Sequence, residues 1–192
     1  MATDPHALFD LWFVEAQQSE PNDPEAVALA TADAEGRPSV RMVLLKSHDE
    51  RGFTFHTNLE SRKGREIAAN PHAALVFHWK TLRRQVRVEG RVEQVGEAEA
   101  DAYFSTRSRG SQISAWASSQ SRPLESTEAF DALYAEMEER FEGAAVPRPP
   151  YWTGLRVVPS AIEFWTDRPF RRHERRLFMR RGESWSESLL YP

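Results

Sequence analysis

The stretch Ala26–Lys46, "AVALATADAEGRPSVRMVLLK", holds two apolar runs separated by "AEGRP". The runs alternate with small residues, and Gly followed by Arg-Pro is turn chemistry, so the segment predicts two strands and a tight connection. A connection this short pairs strands antiparallel, because a parallel pair needs a crossover of about a dozen residues or more. The same reading continues outward. "FTFHT", "HAALVFHW" and "RRQVRVEGRVEQVG" are further strands with short turns such as "SHDERG" and "KTL" between them. "GLRVVPSAIEFW", "RRHERRLFMRR" and "SWSESLLYP" close the chain as strands. "TDPHALFDLWFVEAQQS" reads as an opening helix, with Asp4 as N-cap, Pro5 in the first turn and Leu8, Leu11, Trp12 and Ala16 as its apolar stripe. "ESRKGREIAANP", "EAEADAYFSTRS" and "SQISAWASS" are short helices. "STEAFDALYAEMEERFEG" is the clearest amphipathic one, through Phe130, Leu133, Tyr134, Met137 and Phe141. The sum is about seven strands with peripheral helices, a single α+β domain, mainly antiparallel β and barrel-like, over residues 1–192.

Composition narrows the function classes. The chain has 192 residues, no cysteine and a net charge of -4. Disulfides, thiolate catalysis and Cys-ligated metal are therefore excluded. No apolar run approaches the roughly 20 residues of a membrane span, and the start has neither a basic n-region nor an apolar h-region, so a cytoplasmic protein is expected. Net acidity argues against a general nucleic-acid binder, which needs a broad basic surface. No HExxH or clustered histidines suggest a metal site, and no G-x-S-x-G suggests a hydrolase.

Positive charge is nevertheless gathered in places. Arg62 and Lys63 fall in the first turn of a short helix, where cations oppose the helix dipole unless an anion is present; two solvated cations are the alternative reading. Alternation along "VRMVLLK" puts Arg41, Val43 and Leu45 on one face and Met42, Leu44 and Lys46 on the other. Gln85, Arg87 and Glu89 share a strand face opposite Val86 and Val88, and Gln85 offers donor and acceptor to a flat heterocycle. Tyr103 and Arg107 lie four apart, on one helical face, with Ser111 near a second helix start. "RPFRRHERRLF", read as a strand, points Arg171, His173 and Arg175 one way. That arrangement calls for an anion, or else marks an arginine-rich edge strand.

Taken together and in this order, "RMVLLK", "FHTNLESRKG", "RRQVRVEG", "YFSTRSRGSQISAWAS-SQS" and "FW" followed by "FRRHERR" resemble the pyridoxine (pyridoxamine) 5'-phosphate oxidase family over nearly the whole chain. The resemblance implies an FMN-binding split β-barrel, and a homodimer with FMN at the interface and both subunits lining each site. Residues from about 150 to 192 would serve dimerisation and substrate binding. It assigns FMN contacts to Arg41, Met42, Val43, Leu44, Leu45, Lys46, His56, Thr57, Arg62, Lys63, Gln85, Gln120, Ser121, Trp165 and Arg175. It assigns the substrate phosphate to Lys46, Tyr103, Arg107 and Ser111. Arg171 and His173 would embrace the substrate ring as the catalytic pair. The implied reaction oxidises pyridoxamine or pyridoxine 5'-phosphate to pyridoxal 5'-phosphate and reduces O2 to H2O2.

Three departures from the family pattern stand out. An aromatic is usual where His56 stands, and Arg172 and Glu174 replace Leu and Asp. An Arg-rich segment often precedes the first helix, and the present sequence opens at that helix, so lid contacts of that kind are expected to be missing. Three other functions remain in view: a split-barrel flavin oxidase of another heterocycle such as a phenazine precursor, a non-catalytic FMN or pyridoxal-phosphate binder, and a basic interaction module. The first would not need Lys46, Tyr103, Arg107 and Ser111 together; the second would bind without turnover; the third would purify without flavin.

Overall fold

The structure, a computed structural model, describes residues 4–192. Its strands are β1 (Ala26–Ala32), β2 (Pro38–Leu44), β3 (Ser47–Asp49), β4 (Gly52–Asn58), β5 (His72–Trp79), β6 (Arg84–Gln94), β7 (Trp152–Thr166), β8 (Glu174–Arg181) and β9 (Ser184–Leu189). They form one sheet in the order β2-β1-β5-β6-β7-β4-β3, with β8 on β7 and β9 on β8, and every pair is antiparallel. The opening hairpin is as expected. Ala26 to Ala32 pair with Leu44 to Pro38, and Gly36 turns the chain with φ of 77°.

The sheet curls because β7 is long and serves two neighbours on one edge. Its first part pairs with β4 and its last part with β8, while β6 runs along its other side. The β6–β7 register shifts at Glu89/Gly90, a bulge that sharpens the twist. Gly90 is required there, since a Cβ would stand 2.0 Å from the Val158 carbonyl oxygen. The curl brings the two ends of the sheet together. Lys46, just past β2, donates its N–H to Thr54 O of β4 at 2.8 Å.

Alternation fills the barrel. Val27, Leu29, Leu75, Phe77, Val86, Val88, Val157 and Phe164 are all within 1% of complete burial. Burying each is worth roughly 1.5–3 kcal/mol. Helix α1 (Pro5–Ser19) lays Phe9 edge-on against Phe53 and Phe77. Its buried face is Pro5, Phe9 and Ala16, with Leu8, Trp12 and Phe13 packed beside them. Leu11, placed in the apolar stripe by the sequence reading, is 64% exposed: two residues from Phe9 it lies about 200° around the helix.

Helices α2 (Arg62–Ala69), α3 (Glu97–Thr106), α4 (Arg109–Ala117) and α5 (Thr127–Arg140) complete the chain. Phe104, Ile113, Phe141, Val146 and Trp152 form a second core beneath α3 to α5. Helix α5 itself buries no residue fully; Tyr134 and Met137 lean on that core and Leu133 stays 42% exposed. Among the described residues no helix is long and apolar enough to cross a membrane.

Candidate active site

The barrel seam and the second core together frame a cleft of 560 Å³. Strand β2 and Lys46 give one wall. His56 and Thr57 come from β4, Lys63 from α2, Tyr103 and Arg107 from the end of α3, Ser108 and Ser111 from the start of α4, and Gln120 from the loop after it. Among the described residues four cations line the cleft (Arg41, Lys46, Lys63 and Arg107) and no carboxylate does.

Each cation is set by local structure. Ser61 caps α2, accepting from Gly64 N, and sends Lys63 inward, where Nζ donates to Gln120 Oε1 at 2.7 Å and Thr57 Oγ1 at 3.1 Å. Burial, then the neighbouring Arg41 charge, lowers the Lys63 pKa to about 8. Arg41 donates to Leu29 O, Thr31 Oγ1 and Ser39 Oγ, and pairs at 3.2 Å with Glu66. Glu66 is 6% exposed, and Thr31 and Ser39 each donate to its Oε2 at 2.5 Å. Burial opposes its ionisation, but the hydrogen bonds from Ser39, Thr31 and Arg62 and the Arg41 charge outweigh that and hold its pKa near 2.

Arg107 caps the C-terminal end of α3 and sits over Trp152, 4.8 Å from its ring centre. Its Nη1 is buried without a hydrogen-bond partner among the described residues, and burial lowers the Arg107 pKa. Tyr103 stacks on His56 at 3.9 Å, and His56 on Trp152 at 5.1 Å. Both His56 nitrogens are buried and have no hydrogen-bond partner among the described residues; burial lowers the His56 pKa to about 4, so the ring is neutral near pH 7. Ser108 caps α4, accepting from Ser111 N, and donates to Ser111 Oγ at 2.8 Å.

The sequence-derived set divides in two. Arg41, Met42, Val43, Leu44, Lys46, His56, Thr57, Lys63, Tyr103, Arg107, Ser111 and Gln120 share the cleft. Gln85, Trp165 and Arg175 lie instead in a separate depression of 220 Å³ on β6, β7 and β8, with Arg87 and Glu163. There the buried Glu163 accepts from Arg175 Nε at 2.7 Å and pairs with Arg87 at 2.7 Å. Leu45 is 5% exposed and belongs to the core. Arg62 turns from the cleft to Glu66 Oε1 at 2.8 Å, so of the two first-turn cations only Lys63 enters. Ser121, with φ of 67°, lines neither depression.

Arg171 and His173 do not continue a strand with Arg175. Pro169–Arg171 form a 3-10 turn, Phe170 and Arg171 both have φ of 59°, and β8 starts at Glu174. His173 packs on Trp165, 4.6 Å between ring centres, and so belongs to the second depression's edge. Pro169 and the left-handed pair break the alternation on which the strand reading relied. Arg107, similarly, ends its helix rather than lying within it. The sequence reading missed Trp152, Ser108, Glu66, Glu163 and Asp167. The two serines flanking Arg109-Gly110 were a legible cap signal for Ser108; the others carry no local signal.

The chemistry of the cleft suits phosphate esters, the phosphate of FMN among them. A cationic lining, a guanidinium nitrogen (Arg107 Nη1) buried without a partner among the described residues and a capped helix start are suited to phosphate oxygens, and the volume suits small-molecule ligands.

Comparison with known proteins shows the family. Residues 13–165 match the family described as "Pyridoxamine 5'-phosphate oxidase", and 152–192 match "Pyridoxine 5'-phosphate oxidase C-terminal dimerisation region". The pyridoxine/pyridoxamine 5'-phosphate oxidase of Sphingopyxis alaskensis is 64% identical, covering 100% of this chain and 89% of its own. That of Gluconobacter oxydans is 57% identical, covering 100% and 96%. Among solved structures, PhzG from Burkholderia lata 383, in complex with tetrahydrophenazine-1-carboxylic acid, superposes with a TM-score of 0.92 at 35% identity, over 98% of this chain and 93% of that one. An FMN-binding, pyridoxamine 5'-phosphate oxidase-related protein from Nostoc punctiforme shares the fold, with a TM-score of 0.79 at 18% identity over 100% of both chains. With the family matched across both its regions, the chain belongs to the pyridoxamine 5'-phosphate oxidase family.

Proposed function

We propose that the protein oxidises pyridoxamine and pyridoxine 5'-phosphate to pyridoxal 5'-phosphate, using FMN and O2. The observation that carries this reading is the acid-free cleft in which Lys46, Tyr103, Arg107 and Ser111 converge with most of the flavin-site residues. A phenazine-type substrate does not call for that phosphate clamp, and the relatives named for B6 phosphates are much more similar in sequence than PhzG.

Arg107 and Lys46 neutralise the substrate phosphate, while the Ser111 and Tyr103 hydroxyls donate hydrogen bonds to its oxygens. Lys63, Thr57 and Gln120 hold the FMN phosphate, with Arg41 kept in place by Glu66. Bound FMN supplies the hydride acceptor and its reoxidation by O2, giving H2O2. The chain's own work is binding and orientation, which converts a bimolecular encounter into a held geometry. Stacked Tyr103, His56 and Trp152 exclude water from one side of the cleft.

The working unit in this reading is a homodimer. Gln85, Trp165 and Arg175, with Arg171 and His173 beside them, are presented from the second depression to the partner's cleft. Except for Gln85 on β6, these residues belong to the segment from about 150 to 192, and Val40, Met42 and Leu44, 69%, 62% and 40% exposed, supply apolar surface for the contact.

The test is anaerobic. FMN-loaded protein mixed with pyridoxamine 5'-phosphate is expected to lose the flavin's visible absorption band, and air restores it as pyridoxal 5'-phosphate appears. An unchanged band at saturating substrate would remove the oxidase reading.

A further inference from the structure

We propose that Asp167 is a positioning residue that fixes the His173 imidazole with its proton on Nδ1, leaving Nε2 as a lone-pair acceptor for a hydroxyl or ammonium group of the substrate. Asp167 directly follows β7. Its N–H donates to Arg83 O at 3.1 Å and its carboxylate pairs with the Arg83 guanidinium, so the acid is tied on one side. On the other, Oδ1 lies 3.0 Å from His173 Nδ1. Both side chains are largely covered, at 16% and 22% exposure. Trp165 limits the ring from one face. The left-handed pair Phe170 and Arg171 folds the intervening turn back to bring His173 to Asp167, and such a costly backbone persists only where its surroundings hold it.

Two contacts compete for Nδ1. It can donate to Asp167, or it can accept from the Arg168 backbone N–H, 3.3 Å away. One nitrogen of a neutral ring cannot do both. The carboxylate contact is shorter and charge-assisted, so it wins. Nε2 then carries a lone pair, and no hydrogen bond to it occurs among the described residues. An acid that orients a histidine through its other nitrogen sets both tautomer and ring angle.

The inference rests on the placement of His173 at the substrate proposed above, and the experiment separates the two. In the FMN-loaded full chain labelled with 15N-histidine, His173 is assigned by its loss in His173→Gln. In the neutral ring, recognised by its two distinct 15N shifts, Nδ1 is expected to be protonated and Nε2 bare. Asp167→Asn is expected to shift that pattern and lower kcat on the order of tenfold, with FMN affinity unchanged. A bare Nδ1 in the native chain overturns the role of Asp167. A shifted tautomer with unaltered turnover upholds the Asp167–His173 coupling and overturns the placement of His173 at the substrate.

Discussion

Gly154 stands opposite His56 in the β4–β7 ladder, and the His56 ring fills the space a side chain at 154 would need. A Cβ there would lie 2.9 Å from His56 Nε2 and 2.7 Å from Val95 Cγ2. Gly154→Ala is therefore expected to displace the ring on which Tyr103 stacks. Urea unfolding should show a loss of about 1–3 kcal/mol, and KM for pyridoxamine 5'-phosphate should rise more than kcat falls.

His56 has two buried, unpartnered nitrogens. His56→Phe keeps an aromatic for the stack and removes both, so it is expected to stabilise the fold by about 1 kcal/mol. The pH dependence gives a sharper sign. The ring takes up a proton near 6.5 when unfolded and near 4 when folded, so between those values the unfolded chain binds more protons and stability falls as pH falls. The gain from Phe should thus grow between about pH 7 and about pH 5, read from urea midpoints.

Lys63 loses its charge near pH 8 in the flavin-free chain, well below the usual 10.5. The charged form is the one that attracts a phosphate dianion. FMN affinity is expected to weaken as pH rises through about 8, and Lys63→Met to bind less tightly with that dependence flattened. Titration of flavin fluorescence measures both.

Glu66 links Arg41, Arg62, Thr31 and Ser39. Its folded pKa near 2, against 4.5 in the free side chain, means it contributes stability above pH 4.5 that is lost as pH falls toward 2. Glu66→Gln removes the charge facing Arg41 and is expected to cost roughly 3 kcal/mol at neutral pH. The loss shrinks on acidification, and FMN affinity drops because Arg41 is no longer held.

Arg171 sits at the strained turn, away from the cleft lined by Lys46 and Arg107. Arg171→Ala should leave FMN bound while turnover falls on the order of a hundredfold, the scale of losing substrate orientation. Full activity with bound flavin would remove Arg171 from the site.

The chain order of residues alone settled the hairpins, the alternation that fills the barrel and most of the cation-bearing segments. These are local matters: period-two burial, turn residues such as Gly36, and caps such as Ser61 are written within a few residues of where they act. Only the tertiary structure decided which cations turn inward. Arg62 and Lys63 are adjacent in sequence, yet the buried Glu66 takes one and leaves the other for the cleft. It also decided that Gln85, Trp165 and Arg175 occupy a different depression from Lys46, because the long β7 splits its pairing and carries β8 away from the seam. The partners of Arg41, Arg175 and His173 are acids 25, 12 and 6 residues distant. No local pattern encodes such pairings, since burial and charge balance are settled only when the strands have curled around one another.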